Sequence, residues 1–169
     1  MHTRNEARVR APLARCVRAA ADVERWPLFL PHYREVRFLR KDGFGRGRVH
    51  MAALRRFGRF PYPIWWVSEM ETDLEGGMVR YRHVRGITAG MDVEWRLTPL
   101  GGRTHITILH EWTGPSWPLV GGVAARRVIG PRFIHVVAER TLTGLRRELE
   151  CHPPETAPAE RHIPEPRDG

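Results

Sequence analysis

Apolar and polar residues alternate with two different periods along this chain, and the change of period marks its architecture. Near one end, Ile134, Val137, Ala138, Thr141, Leu142, Leu145 and Leu149 recur at helical spacing, with Glu139, Thr143, Arg146, Arg147 and Glu150 opposite. This predicts an amphipathic helix over Pro131–Cys151. Pro131 suits its first turn, where a missing N–H costs nothing, and Pro153 with Pro154 stops it. A lone helix of this length is marginal in water, so its stripe requires a large apolar surface made by earlier chain.

Upstream the period is mostly two. Residues 3–11 set Arg8 and Arg10 against Val9 and Ala11, a first strand ended by Pro12. Residues 13–21 are helix formers at helical spacing, and Asp22 is placed to cap a second short helix that Pro27 and Pro31 confine to a turn or two. Strands follow at residues 33–40, 49–56, 64–72, 78–84, 91–98 and 104–112, separated by glycine-rich turns. Residues 59–63 read as a turn or an edge, since Pro61 and Pro63 cannot serve a central ladder. Short connections favour antiparallel neighbours. The expected fold is therefore α+β: a curved antiparallel sheet of about seven strands wrapped around the long C-terminal helix, with two short helices after the first strand. Residues 1–152 form the expected domain, and the proline-rich residues 153–169 a disordered tail. The apolar, glycine-rich residues 114–130 are the expected gate to the interior.

Alternation also predicts which side chains meet the helix. If Trp66 faces inward, so do Ile64, Ser68 and Met70; if Trp95 does, so do Met91, Val93 and Leu97. Tyr81 and His83 point in while Arg80 and Arg82 point out, and Ile106 and Ile108 bring His110 and Trp112 to the inner side. The interior then holds Tyr33, Ser68, Tyr81, His83 and His110 among apolar walls, the make-up of a small-molecule pocket. Asp92 and Glu94 face outward, to pair with arginines.

Composition narrows the picture. At 169 residues the chain suits one domain. Its 28 basic side chains include a single lysine, Lys41, and give a formal charge of +9. The arginines recur every second residue, as at Arg46 and Arg48, which places them on a solvated outer face. Aromatic residues fall on the inner face, away from any strand of nucleic acid, so no nucleic-acid partner is expected. Cys16 and Cys151 lack metal-ligand spacing and are expected as free thiols. The histidines show no paired ligand spacing, so no metal is expected. No signal peptide and no spanning apolar run is present, which predicts a cytoplasmic protein without stable membrane insertion. There is no nucleophile elbow, phosphate loop or dinucleotide fingerprint, and no cofactor is expected.

The order of elements, the Asp22-Val23-Glu24-Arg25-Trp26-Pro27 stretch followed by Tyr33, the Trp65-Trp66-Val67-Ser68-Glu69 and Met91-Asp92-Val93-Glu94-Trp95 strands, and Arg140-Thr141 in the last helix resemble the polyketide aromatase/cyclase branch of the START-like helix-grip superfamily. The resemblance covers residues 6–150. It implies a deep cavity between sheet and helix, where a carrier-bound poly-β-ketone closes a ring by aldol addition and loses water. It carries Trp26, Tyr33, Trp66 and Ser68 onto the cavity wall. It also implies an arginine two residues after the serine; here that position is Met70, which cannot polarise a ketone oxygen.

For that reaction the candidate bases are His83 and His110, as imidazoles titrating near neutrality, with Tyr33 and Tyr81 as donors to the ketone and Ser68 as an orienting hydroxyl. Met70, Met91, Trp95, Trp112, Val137 and Thr141 complete the expected ligand contacts. The outer arginines suit an acidic acyl carrier protein as partner. Met70 and the apolar interior favour the alternative, non-catalytic binding or transport of a lipid, a quinone or another hydrophobic small molecule.

Overall fold

The long helix lies where its pattern places it. In the computed structural model, which describes residues 1–57, 60–114 and 131–152, it runs over Pro131–Cys151 and is called α3 here. Before it come β1 (His2–Val9), α1 (Leu13–Ala21), a 3-10 turn (Val23–Arg25) and α2 (Trp26–Phe29). Six strands follow: β2 (Tyr33–Gly43), β3 (Arg46–Phe57), β4 (Phe60–Asp73), β5 (Met78–Gly86), β6 (Asp92–Leu100) and β7 (Arg103–Glu111). All seven strands form one curved antiparallel sheet in the order β1-β7-β6-β5-β4-β3-β2. Strands β1 and β2 are its edges, and α1 and α2 connect them. This is the α+β helix-grip arrangement the pattern predicts.

Alternation sorts the side chains as expected. On β5, Val79, Tyr81 and His83 are buried while Arg80 and Arg82 are exposed. The outer face is a ladder of cross-strand ion pairs: Arg80 Nε donates to Glu94 Oε2 at 2.9 Å, Arg82 meets Asp92 at 3.7 Å, Arg46 meets Glu71 at 3.7 Å, and Arg48 pairs with Glu69. Exposed pairs of this kind contribute only about 0.2–1 kcal/mol each. Their consequence is that much of this face carries its positive charge already matched.

The inner face is closed by α3, whose Ile134, Ala138, Thr141, Leu142, Leu145 and Leu149 are all buried. The helix packs along β1 and against α1 and α2. Gly144 permits the close approach of α2, since a Cβ there would collide with Leu30 Cδ2, and Leu30 is fully buried.

Some expectations change. Pro61 and Pro63 lie within β4, paired to β3 opposite Arg56 and Leu54. They are tolerated because β5 joins β4 only from Trp66 onward, so the start of β4 is an edge. Asp22 makes no side-chain cap; its carbonyl accepts from Arg25 N at 3.1 Å instead. Strand β6 runs two residues past the expected 98, through Pro99 and Leu100, and Gly101 and Gly102 make the hairpin turn. The expected tail at 153–169 and the expected gate, beyond Gly114, lie outside the described residues.

Leu145 is 1% exposed at the centre of the seal. Leu145→Ala should lower the unfolding free energy by about 2–5 kcal/mol in urea titrations followed by circular dichroism. A loss below about 1 kcal/mol would mean that this stripe does not hold the helix.

Candidate functional site

Between the sheet's inner face and α3 lies a cavity of about 70 Å³. Strand parity brings Tyr33, Trp66, Tyr81, His83, Val93, Trp95, Ile108 and His110 to its wall, with Met91 just before β6. Trp26 of α2 and Thr88 of the β5–β6 turn also reach it, and Phe133, Ile134, Val137, Ala138 and Thr141 of α3 face them. A bulge at Val84 breaks the β4–β5 register, so that Val67 pairs with Arg85 but Ser68 with His83. The extra residue lets Val84 and Arg85 both stay outside while His83 is turned in. Gly86, at φ 93°, closes this bulge where any Cβ would meet the Trp65 carbonyl.

Large aromatic rings form a continuous belt around the space. Trp26 sits 5.6 Å from Trp95 and 5.2 Å from Tyr33, Tyr33 lies 6.2 Å from Trp66, and Trp66 stacks on His83 at 5.7 Å. Carbonyls left free in the last turn of α1 take two of the belt's donors: Trp26 Nε1 donates to Ala19 O at 3.2 Å and the Tyr81 hydroxyl to Ala20 O at 3.5 Å.

Buried histidines are each anchored by a threonine. His83 Nδ1 lies 2.6 Å from Thr88 Oγ1, His110 Nδ1 is 3.2 Å from Thr3 Oγ1, and His32 Nε2 is 3.0 Å from Thr141 Oγ1. The Thr141 hydroxyl donates to Val137 O at 2.9 Å, so it can only accept from His32, whose proton must then sit on Nε2. Burial pushes the His83 imidazole down to about 3, with His110 adding to the shift. Burial likewise pushes His110 down to about 4, with His2 contributing, and His32 to about 4, with the Arg140 cation contributing. The expected imidazole titrating near neutrality is therefore not what the fold makes: low-dielectric surroundings disfavour the charged ring. Burial also pushes the Tyr33 phenol up to about 12 and the Tyr81 phenol well above its ordinary value. At neutral pH the site is polar but uncharged.

The structure brings Tyr33, Tyr81, His83, His110, Trp26, Trp66, Met91, Trp95, Val137 and Thr141 around one cavity. Ser68, Met70 and Trp112 are buried but do not line the cavity. The cross-strand partners of the first two on β5, His83 opposite Ser68 and Tyr81 opposite Met70, are the residues that reach it. Trp112 instead donates from Nε1 to Ala89 O at 3.0 Å and braces the turn that carries Thr88. Four residues escaped the sequence reading: Thr3, His32, Met51 and Thr88. Thr3 shares the parity of Val9 and Met51 that of Val49, which is a usable signal; His32 and Thr88 sit in turns, where no period applies. The cavity is also narrower than the resemblance implies: at about 70 Å³ it has room for a few waters. Among the described residues, Trp66 Nε1 and Ser68 Oγ are buried without a hydrogen-bond partner. No group of His, Cys, Asp or Glu among them is arranged to hold a metal ion. No helix among them is long and apolar enough to cross a membrane.

A curved seven-stranded sheet gripping a C-terminal helix over an uncharged aromatic cavity defines a START-like helix-grip protein. The sequence matches, over residues 9–130, the family described as Polyketide cyclase / dehydrase and lipid transport, and the chain belongs to that family. Its fold is shared with the Zhui aromatase/cyclase from Streptomyces sp. R1128, at TM-score 0.76 and 20% identity, covering 89% of this chain and 93% of that one. It is shared with the di-domain ARO/CYC BexL from the BE-7585A biosynthetic pathway, at TM-score 0.67 and 20% identity, covering 90% of this chain and 48% of that one. A START superfamily protein from Mycobacterium smegmatis superposes at TM-score 0.62 and 15% identity, covering 85% of this chain and 98% of that one. No curated protein matches the sequence. The chain is thus cyclase-like or ligand-binding.

His32, His83 and His110 stay neutral in the fold down to about pH 4, 3 and 4, whereas in the unfolded chain they protonate near 6.5. The unfolded state therefore binds more protons below pH 6.5, and stability present above that pH is lost as the pH falls towards 4. Urea titrations between pH 7.5 and 4.5 should show a loss of up to about 1.4 kcal/mol per pH unit for each histidine. His110→Asn should reduce that slope by one proton; an unchanged slope would mean that His110 titrates normally.

Proposed function

We propose that the cavity takes a flat, neutral, oxygen-bearing polyketide intermediate, a poly-β-ketone or its first aromatic product, and promotes aldol ring closure. The observation that carries this reading is the unpaired Trp66 Nε1–H on an aromatic, uncharged wall. A buried donor without a partner costs about 1–3 kcal/mol, and a ligand carbonyl oxygen placed there removes that cost. Stacked rings favour flat ligands, and the absence of charge favours neutral ones.

The chemistry needs little more than placement and one proton shuttle. His83, neutral at rest, takes a proton on its free Nε2 from a methylene between two carbonyls, which is already acidic. The imidazolium is tolerated because the enolate forms beside it and the pair stays neutral overall. The enolate carbon attacks a second carbonyl carbon of the same chain; its oxygen, hydrogen-bonded to Trp66 Nε1 or the Tyr33 hydroxyl, takes the proton back from His83. One carbon–carbon bond forms, one C=O π bond breaks, and loss of water follows. His110, tied to Thr3, is the second candidate base.

The depressed imidazoles and Met70 favour a second reading, a carrier that holds a quinone, lipid or finished polyketide without acting on it. Either ligand exceeds the resting space, since pockets for such molecules run to about 300–1,000 Å³. The walls must part to admit it.

Product profiles of a reconstituted ketosynthase and acyl carrier that make a poly-β-ketone, with and without this protein, separate the two. His83→Gln and Tyr33→Phe should each cut the cyclised product at least about tenfold, and Trp66→Phe should do so without loss of stability. Wild-type product profiles from all three variants, with a quinone or acyl lipid copurifying in native mass spectra, would establish the carrier instead.

A further inference from the structure

Of the two imidazoles on the cavity wall, His83 is held by more than its own strand. The β5–β6 turn folds back onto it: the His83 N–H donates to Met91 O at 2.9 Å, and its carbonyl accepts from Gly90 N at 2.8 Å. Inside the turn, Ala89 N donates to Gly86 O at 3.2 Å and Met91 N to Thr88 O at 3.1 Å, which sets the Thr88 side chain beside the ring. The Thr88 hydroxyl lies 2.6 Å from His83 Nδ1, and both residues are buried. Trp112, just past β7, pins the turn by donating from Nε1 to Ala89 O at 3.0 Å. It is buried itself and does not line the cavity.

A threonine hydroxyl both donates and accepts, so two arrangements of the ring proton satisfy the bond to Thr88. In one the proton sits on Nδ1 and is donated to Thr88, which leaves a lone pair on Nε2 for whatever enters the cavity. In the other Thr88 donates into Nδ1, and the proton sits on Nε2. That N–H would then share the wall with Trp66 Nε1, which among the described residues is buried, unpaired and itself only a donor. Two unpaired donors on one apolar wall are costly, so the first arrangement is favoured. It is also the one that leaves a base within a substrate's reach. When Nε2 takes a proton, the Nδ1–H bond to Thr88 becomes charge-assisted and stabilises the imidazolium that burial disfavours.

We propose that Thr88 is the positioning residue of His83, fixing the tautomer with its proton on Nδ1 and its lone pair on Nε2, and that Trp112, through Ala89, holds Thr88 in place. The part this plays in ring closure rests on the reading of His83 as the base; the tautomer does not. Trp112 thereby gains a role in the site without touching a ligand. His110 is held differently: its partner Thr3 stands directly across from it on β1, at 3.2 Å, so a strand pairing rather than a turn supplies the hydroxyl.

Nitrogen NMR spectra of the full chain, with histidine labelled by nitrogen-15, read the tautomer at neutral pH, and His83→Gln identifies the His83 signals by their loss. Wild-type His83 should carry its proton on Nδ1. Thr88→Ser should keep it there, and Thr88→Val should release it to Nε2, wholly or in part. Trp112→Phe, which keeps an aromatic ring and removes the N–H, should release it in part. With the reconstituted ketosynthase and acyl carrier, Thr88→Val should lower kcat at least about tenfold with KM held within about twofold, while Thr88→Ser turns over as the wild type does. A wild-type proton on Nε2 would overturn the proposal without any variant having to fold. An unchanged tautomer or an unchanged kcat in Thr88→Val would overturn it as well, and an unchanged tautomer in Trp112→Phe would overturn the part given to Trp112. The expected tautomers in a wild type that yields no cyclised product would sink the reading of His83 as a base and leave the assignment of Thr88 standing.

Discussion

The structure depends on one act of burial: the apolar stripe of α3 against the concave inner face of a sheet that α3, α1 and α2 cover. The stripe runs the whole helix, from Ile134 to Leu149. Its two ends have different tasks. Leu145 and Leu149 close onto the packed core, whereas Phe133, Ile134, Val137, Ala138 and Thr141 face an incompletely filled space. Stability and the cavity therefore draw on the same helix, and a ligand site arises where the seal is incomplete.

A second constraint follows from the first. Polar groups trapped under the seal must be satisfied without charge, because burial in low dielectric makes ionisation costly. The protein meets this with threonine hydroxyls: Thr3, Thr88 and Thr141 each hold one imidazole. Helix α1 contributes its free carbonyls at Ala19 and Ala20 to Trp26 and Tyr81. What is left over stands out by contrast, and Trp66 Nε1 is the donor on the wall that nothing satisfies.

Surface and interior divide the electrostatics between them. Arginine alternation gives the outer sheet a regular ladder with Glu69, Glu71, Asp92 and Glu94, and Arg80 with Arg96 holds the Glu94 carboxyl below its ordinary range. The formal charge of +9 thus overstates what that face offers a partner. Among the described residues, arginines without a carboxylate in ion-pair distance include Arg140 and Arg147 of α3 and Arg34 and Arg85 of the strands.

Periodicity in the sequence was enough to determine the strands, the helix bounds at Pro131 and Cys151, and the facing of Tyr81, His83, Trp95 and His110, because a pleat and a helix each turn residue spacing into direction. It could not say which inward residues reach the cavity: Ser68 and Met70 share the parity of Trp66, yet their β5 partners His83 and Tyr81 line the space and they do not. Nor could it place His32 and Thr88, which turns rather than periods deliver. The imidazoles' loss of basicity, the narrowness of the space and the hydrogen bond between His32 and Thr141 were decided only by tertiary structure. Each depends on distances between segments remote in the chain, and local patterns carry direction but no distance.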